Sequence, residues 1–319
     1  MNYGWDLDLG FGSNRKGVGL LIPGLRLYLD SFDSATITKT YQNLVVTGTG
    51  TVGTNAITAS GVVTNLIQPG FKLRMSGTDI YTIASVATPV ITTVEPLSTD
   101  YVAQIMAVDR VSQWNDKSGF GNHATQGTAL AQLIYNPAKL NGRAVLTGDG
   151  ASYMLASSIA SIMSGEDKAC TVFCVTSTTI TGSNVIWAWG RLIAGGAAMQ
   201  LKYQNVSSFA VIKRDDANVL INVTQGTSVI NTPYISTMVT GGTIANVYMN
   251  NNLTISNANI NVGITTPETF AIGASYNVTP GQPIIGDIAT LLVYNRELSS
   301  SELLQVNRFL SQKTGIAIS

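Results

Sequence analysis

The sequence predicts an all-β sandwich that carries an inserted small β-domain and ends in one helix. Three observations predict it. Short runs that alternate apolar and polar residues recur at intervals of about eight to fifteen residues, with Gly, Asn and Ser between them. Helical periodicity is confined to one stretch close to the C-terminus. A Thr-, Val- and Gly-rich segment at 40–107 has its own turn chemistry, while the sequence on either side of it reads as one unit.

Residues 1–22, "MNYGWDLDLGFGSNRKGVGLLI", are glycine-rich and aperiodic. Tyr3, Trp5 and Phe11 stand there as aromatic anchors, the composition of an arm that orders on a partner rather than on a core of its own. The stretch lacks a basic n-region followed by an apolar h-region and does not read as a secretory signal. The first sandwich strand is expected within 23–39, where "GLRLYLD" alternates. In the insert, "FKLRM", "IYTIASV" and "VITTV" form a natural three-strand meander. The sandwich resumes over 108–319 with "ACTVFCVTS", "SNVIWAWG", "AMQLKYQ", "FAVIKRDD", "NVYMNNN" and "DIATLLVYN". The asparagines of "YMNNNLT" tolerate positive φ and mark a hairpin tip.

The predicted helix spans about 299–314. Ser299 and Glu302 have capping-box spacing, and Leu303, Val306 and Leu310 recur on one face. Lys313 suits the C-terminal dipole and Gly315 the left-handed stop. Cys170 and Cys174 are four apart on one strand face, roughly 13 Å from each other. A disulfide needs Cα atoms within about 7 Å, so two buried free thiols are expected.

Composition excludes several roles. Only 11% of residues are charged, and eighteen basic residues balance eighteen acidic ones. Neither nucleic acid nor an anionic membrane finds an electrostatic partner in such a chain. No run reaches the roughly 18 apolar residues of a spanning helix. Near-neutrality removes charge repulsion against self-association, so a homo-oligomer is expected.

Several segments, in order, resemble the laminin-G-like and concanavalin-A-like jelly rolls. They are "GLRLYLDSFD" (24–33), "VSQWNDKSGFGNHATQ" (111–126), "NGRAVLTGDGASYML" (141–155), "TVFCVTS", "VYMNNNLT", "FAIGAS" and the closing "GDIATLLVYNRELSSSELLQVNRFLSQKTGI". The resemblance covers 24–36 and 108–319, around two thirds of the chain. It implies a concanavalin-A-like jelly-roll sandwich interrupted at 40–107. The insert resembles small β-modules of phage tail and fibre proteins, so the whole resembles a bacteriophage virion protein. That implies a non-enzymatic structural and adhesive role on the particle surface, as capsid decoration, head fibre or tail appendage. The N-terminal arm would attach it to capsid or tail proteins, and its partners would include host-surface glycans. A glycan-active enzyme, glycosidase or lyase, on the same fold and a bacterial surface adhesin are the alternatives.

The loop at 111–126 holds the only histidine, His123, with Trp114, Asp116, Ser118, Gly119, Gly121 and Asn122. As architecture, Trp114 plugs the core, Asp116 collects loop N–H groups and Ser118 caps a turn. Gly119 and Gly121 supply unusual φ values, and Asn122 bridges strands. A catalytic reading would need a nucleophile elbow or a triad around His123, and no G-x-S-x-G is present in the loop. Glycoside cleavage would need two carboxyls about 5–9 Å apart. Glu95, Glu166, Glu268, Glu297 and Glu302 show no E-x-D pattern, Asp6 and Asp8 lie in the arm, and Asp215–Asp216 and Glu166–Asp167 are sequence neighbours. No catalytic residue is therefore assigned. The resemblance implies calcium at a loop rim, for which Asp30, Asp33 and Asp149 are the candidates against a turn-capping role. For sugar binding, Trp187 and Trp189 share a strand face that Tyr203 can join, either as a glycan platform or as core.

Overall fold

A computed structural model describes residues 22–61, 67, 69–76, 79–179, 182–190, 198–205, 208–276 and 280–319. Tyr3, Trp5 and Phe11 of the expected docking arm lie outside the described residues. Seven strands lead into and out of the insert: β1 (Leu25–Asp30), β2 (Ile37–Gly50), β3 (Ala56–Ala59), β4 (Lys72–Ser76), β5 (Asp79–Ala87), β6 (Val90–Thr93) and β7 (Tyr101–Trp114). Then follow β8 (Ala124–Thr125), β9 (Leu133–Leu140), β10 (Arg143–Asp149), β11 (Met154–Leu155), β12 (Cys170–Thr178), β13 (Asn184–Gly190) and β14 (Met199–Asn205). The last group is β15 (Ser208–Arg214), β16 (Leu220–Gln225), β17 (Tyr234–Thr240), β18 (Ile244–Met249), β19 (Asn252–Asn259), β20 (Thr269–Ile272), the short β21 (Ser275–Tyr276) and β22 (Pro280–Gly281), and β23 (Ile285–Tyr294). Helix α1 (Ser300–Thr314) closes the chain.

All named pairings are antiparallel. One sheet runs β19–β18–β17–β12–β23, and β1 and β10 share the far edge of β23 end to end. The other runs β16–β15–β14–β13–β20–β11–β8. Between them lies the main core, with Val172, Leu291 and Val293 from one side meeting Trp187, Leu201 and Phe270 from the other. Cys170 and Cys174 point into this core as free thiols. Burial pushes Cys170 up to about 12 and raises Cys174 as well, so both are inert.

The insert is a closed barrel. Its strands pair β2–β3–β6–β5–β4–β7 and return to β2. Closure leaves no strand edge open to another chain. Ile57, Leu73, Met75, Ile83, Ile91 and Met106 belong to its separate core. At Gly48 a Cβ would stand 2.7 Å from Ile57 Cγ2 and 2.9 Å from Met75 Cε, so only glycine lets the strand approach this closely. The sequence boundaries expected at 40 and 107 fall inside β2 and β7. These strands pair without a linker from Ile37↔Trp114, at the sandwich, to Gly50↔Tyr101, at the barrel.

Helix α1 covers the outer face of the β23 sheet. Leu303, Val306 and Leu310 pack with Phe173, Leu292 and Tyr294. β23 is therefore apolar on both faces and almost uninterrupted, the pattern of a strand covered twice. The Ser299 hydroxyl accepts from Glu302 N–H, and Glu302 Oε2 accepts in return from Ser299 N–H at 2.9 Å. Gly315 ends the helix at φ 75°. Asn250 and Asn251 turn the β18–β19 hairpin at φ 51° and 70°. Among the described residues no helix is long and apolar enough to cross a membrane.

Glu302 also receives a two-pronged bond from Arg296, at 2.6 and 3.0 Å. That fork, with the Ser299 N–H, holds the Glu302 carboxyl down at about 2 against an ordinary 4.5. Its stabilisation is therefore complete above pH 4.5 and is lost as the pH falls toward 2. Gln at this position can still complete the capping box, so Glu302→Gln removes chiefly the Arg296 ion pair and should cost about 1 kcal/mol at pH 7. Urea unfolding of the two proteins should converge near pH 2; a gap that persists there would assign the loss to packing rather than to charge.

Candidate functional site

The site is built where β7 leaves the core. Trp114, the last residue of β7, is fully buried, and Asn115 N–H donates to Thr36 O at 2.7 Å. The chain then wraps around one carboxylate. Asp116 Oδ1 accepts from Tyr28 N–H (2.9 Å) and Ser118 N–H (2.8 Å), while Oδ2 accepts from Asn122 N–H (2.9 Å) and the Ser118 hydroxyl (2.7 Å). Gly119 and Gly121 take φ of 89° and 72°, which a side chain would strain. Asn122 Nδ2 donates to Arg26 O at 2.6 Å, tying the loop to β1.

This geometry separates His123 from Ser118. His123 Nδ1 accepts from the backbone N–H of Asp116 at 3.0 Å, and the Ser118 hydroxyl is bound to the Asp116 carboxylate and near Arg26 O. A serine nucleophile needs a base on its hydroxyl, and here that position holds a structural aspartate.

The aromatic platform is a correction. Trp187, Trp189 and Tyr203 are all 0% exposed. Trp187 stacks on Phe270 with ring centres 6.1 Å apart, Trp189 meets Phe270 edge-on at 4.7 Å, and Tyr203 packs on Phe209 at 5.0 Å. The opposite sheet covers the face they share, so the stripe is core and offers no surface to a sugar.

The calcium candidates are corrected for a different reason: their oxygens already hold cations of the chain. Asp30 pairs with Lys117 at 3.2 Å and with Lys313, Asp33 pairs with Lys117 at 2.8 Å, and Asp149 pairs with Arg110 at 3.1 Å. Asp33 caps a 3-10 turn by accepting from Ala35 N–H, and Asp149 accepts from Ala151 N–H and Ser152. Among the described residues no three His, Cys, Asp or Glu side chains gather as a metal would require. The neighbouring acid pairs are also divided. Asp215 holds the N–H groups of Val219 and Gly263, and Asp216 holds Thr266.

Among the described residues, two of the surface concavities stand out. The smaller, about 250 Å³, lies beside the end of α1 and includes Asp287 on an apolar floor of Val145, Val175 and Ala289. Asp287 is bound there by Lys139 (3.0 Å), Thr147 (2.7 Å) and Ser177 (3.2 Å).

The larger, about 530 Å³, is an open cleft against the Asp116 loop. The loop contributes Phe120 and Asn122, and β1 contributes Arg26. A 3-10 helix, Ser157–Met163, buries Ile159 and Met163 and turns Ser158 and Ser161 toward the opening. Ser164, Lys168 and Asn295 complete the polar wall. Phe120 is 57% exposed, and the Arg26 guanidinium lies 4.6 Å from its ring centre. With the Asn295 amide nitrogen donating to Gly24 O (3.0 Å), its oxygen accepts from Arg26 Nε and Nη2, both at 3.1 Å. Among the described residues no carboxylate lines this cleft. The sequence reading missed it, since Arg26, Lys168 and Asn295 meet only through the fold; the polar Arg26 within an otherwise apolar strand start was the one local sign.

No family model matches the chain, and no curated protein matches it by sequence. Among solved structures, the Trypanosoma rangeli sialidase with the inhibitor DANA is similar at 18% identity and TM-score 0.42, over 63% of this chain and 31% of that one. The botulinum neurotoxin serotype G binding domain is similar at 15% identity and TM-score 0.47, over 62% of this chain and 49% of that one. The Ruminococcus gnavus IT-sialidase CBM40 bound to α2,6-sialyllactose is similar at 17% identity and TM-score 0.39, over 46% of this chain and 86% of that one. The chain thus spans about a third of the sialidase and about half of the toxin domain. Its own architecture is that of a β-sandwich: two antiparallel sheets, an inserted β-barrel and a single C-terminal α-helix among the described residues.

Asp116→Asn tests the loop. Either amide orientation sets an NH₂ group against at least one backbone N–H, since on the Asn122 side only the Ser118 hydroxyl can turn to accept, so about 3 kcal/mol of stability should be lost, from one charge-assisted bond and one opposed donor. Urea unfolding would measure it; a change below about 0.5 kcal/mol, the range of ordinary surface substitutions, would show that the carboxylate does not organise the loop.

Proposed function

We propose that the chain is a non-enzymatic structural protein of a bacteriophage particle whose sandwich displays a glycan-recognition cleft. One feature carries the recognition part. The open cleft beside the Asp116 loop combines serine hydroxyls, two amides and an exposed ring, and among the described residues its wall contains no carboxylate. Hydroxyls and amides exchange hydrogen bonds with sugar hydroxyls, and a half-exposed ring gives the apolar sugar face a surface. Hydrolysis by the usual route asks for two carboxyls across the bond, which this wall does not offer. The fold supports the same reading, since it holds the loop rigidly between β1 and β7.

The particle part rests on the sequence: the charge-poor surface, the inserted β-module, and the glycine-rich N-terminal segment with Tyr3, Trp5 and Phe11 as anchors. Capsid or tail proteins would be its attachment partners and host-surface glycans its ligands.

The test has two arms. On a glycan array the intact chain should bind a subset of glycans, Phe120→Ala should weaken that binding about tenfold, the scale of a lost aromatic contact, and mass spectrometry should detect no cleaved product. Product release would move the chain to the enzymes. Deleting residues 1–20 should leave the glycan profile unchanged and abolish incorporation into particles; normal incorporation would sink the attachment role.

A further inference from the structure

We propose that this cleft selects a sugar bearing a negatively charged oxygen group, a carboxylate or a sulfate, with Arg26 and Lys168 as the residues that read the charge. The inference rests on the recognition reading of the same cleft and adds the sign of its ligand.

The cations around the cleft divide into two kinds. Arg296, next to Asn295, is neutralised by Glu302 through both its Nη atoms. Lys117, in the Asp116 loop, is shared between Asp30 and Asp33, and Lys313 is paired with Asp30. Arg26 and Lys168 pair with no carboxylate of the described residues. Both of them line the cleft, whose wall contains no acid among the described residues.

Arg26 is also held in place without being neutralised. The Asn295 amide oxygen fixes Nε and Nη2, and the Phe120 ring lies against the guanidinium plane. An amide dipole and an aromatic face position the group while leaving its full charge to a ligand. A guanidinium fixed in this way has less freedom to lose on binding, and its remaining N–H groups match a planar or tetrahedral oxyanion. Lys168 supplies a second, longer-reaching charge. Its stem lies over Gly165, where a Cβ would stand 2.9 Å from Lys168 Cε.

The remainder of the wall fits the neutral part of such a ligand. Ser158, Ser161 and Ser164 offer hydroxyls, and Asn122 spends its Nδ2 on Arg26 O, so its carbonyl oxygen is available to a sugar hydroxyl. Ile162, half-buried, gives an apolar patch beside them. Two cations do not make a track for a phosphodiester polymer, whose binding grows with the number of phosphates neutralised. A charged group on a short saccharide matches the size of the site.

The experiment is titration calorimetry of the whole chain against three probes: galacturonic acid tetramers, the same tetramers methyl-esterified, and sulfated galactose tetramers. One or both charged probes should bind, the ester about tenfold or more weakly, and the charged affinity should fall with added salt. Arg26→Gln and Lys168→Gln should each weaken the charged probe about tenfold. Arg308→Gln, an exposed cation on α1, should change nothing. Lys168 is exposed, so its variant tests the idea even where Arg26→Gln loosens β1. Equal binding of acid and ester would overturn the charge proposal and leave the recognition reading standing. Charged binding insensitive to both cleft variants would place the site elsewhere. Absence of binding to every probe and to every array glycan would end the recognition reading and this inference with it, and tight binding of single-stranded DNA through the same two residues would replace the saccharide with nucleic acid.

Discussion

Asp30 is 1% exposed and paired with two lysines, and the rest of the structure is arranged to make that tolerable. A carboxylate can be buried only with its charge matched and its lone pairs occupied. Its partners come from two distant segments: Lys117, 87 positions away in the loop after β7, and Lys313, 283 positions away at the end of α1. The Tyr28 hydroxyl and the Phe32 N–H complete the shell. The end of the first strand can therefore be covered only when the loop and the last helix are both in place. One buried charge makes the start, the middle and the end of the chain a single cooperative assembly.

The cleft follows from the same closure. With Lys117 drawn onto Asp30, the adjacent Asp116 lies against β1, where it takes the Tyr28 N–H, and Ser118 and Asn122 reach Arg26 O. Leu27 and Leu29 enter the main core and Tyr28 lies under α1. The β1–β23 register shifts between Leu25 and Leu27, so Arg26 sits at that irregularity, at the cleft. A residue of the first strand thus becomes a wall of a site whose other members lie more than ninety positions further along the sequence.

What was legible in the sequence was whatever local chemistry decides. The Ser299–Glu302 box, the Gly315 stop, the Asn250–Asn251 turn and the period of β12 each depend on neighbours a few residues away, and each appears in the structure. What failed was what a second layer decides. Trp187 and Trp189 alternate as they would on an exposed strand or a covered one, and only the opposite sheet distinguishes the two. Asp30, Asp33 and Asp149 look alike as ligands or as ion-pair partners until their lysines and arginine arrive from distant segments. The limits of the insert were hidden for a related reason: β2 and β7 pass from one core to the other as continuous strands whose pairing slips at register shifts, so no linker marks the change.

That continuity explains how a six-stranded barrel is accommodated next to a loop with so many bonds to satisfy. The barrel enters and leaves through a single antiparallel ladder, β2 with β7, whose sandwich end is the pair Ile37↔Trp114. Trp114 is anchored in the main core, and Asn115 N–H is fixed to Thr36 O, so the register is set before the Asp116 loop begins. Closing its own ring leaves the barrel no free edge to compete for the sandwich strands. Its apolar side chains are used in a core of their own, which meets the sandwich through Ile134 of β9. The inserted module is therefore carried by the two strands that position the loop, and the loop keeps its geometry because those strands end in the core of the sandwich.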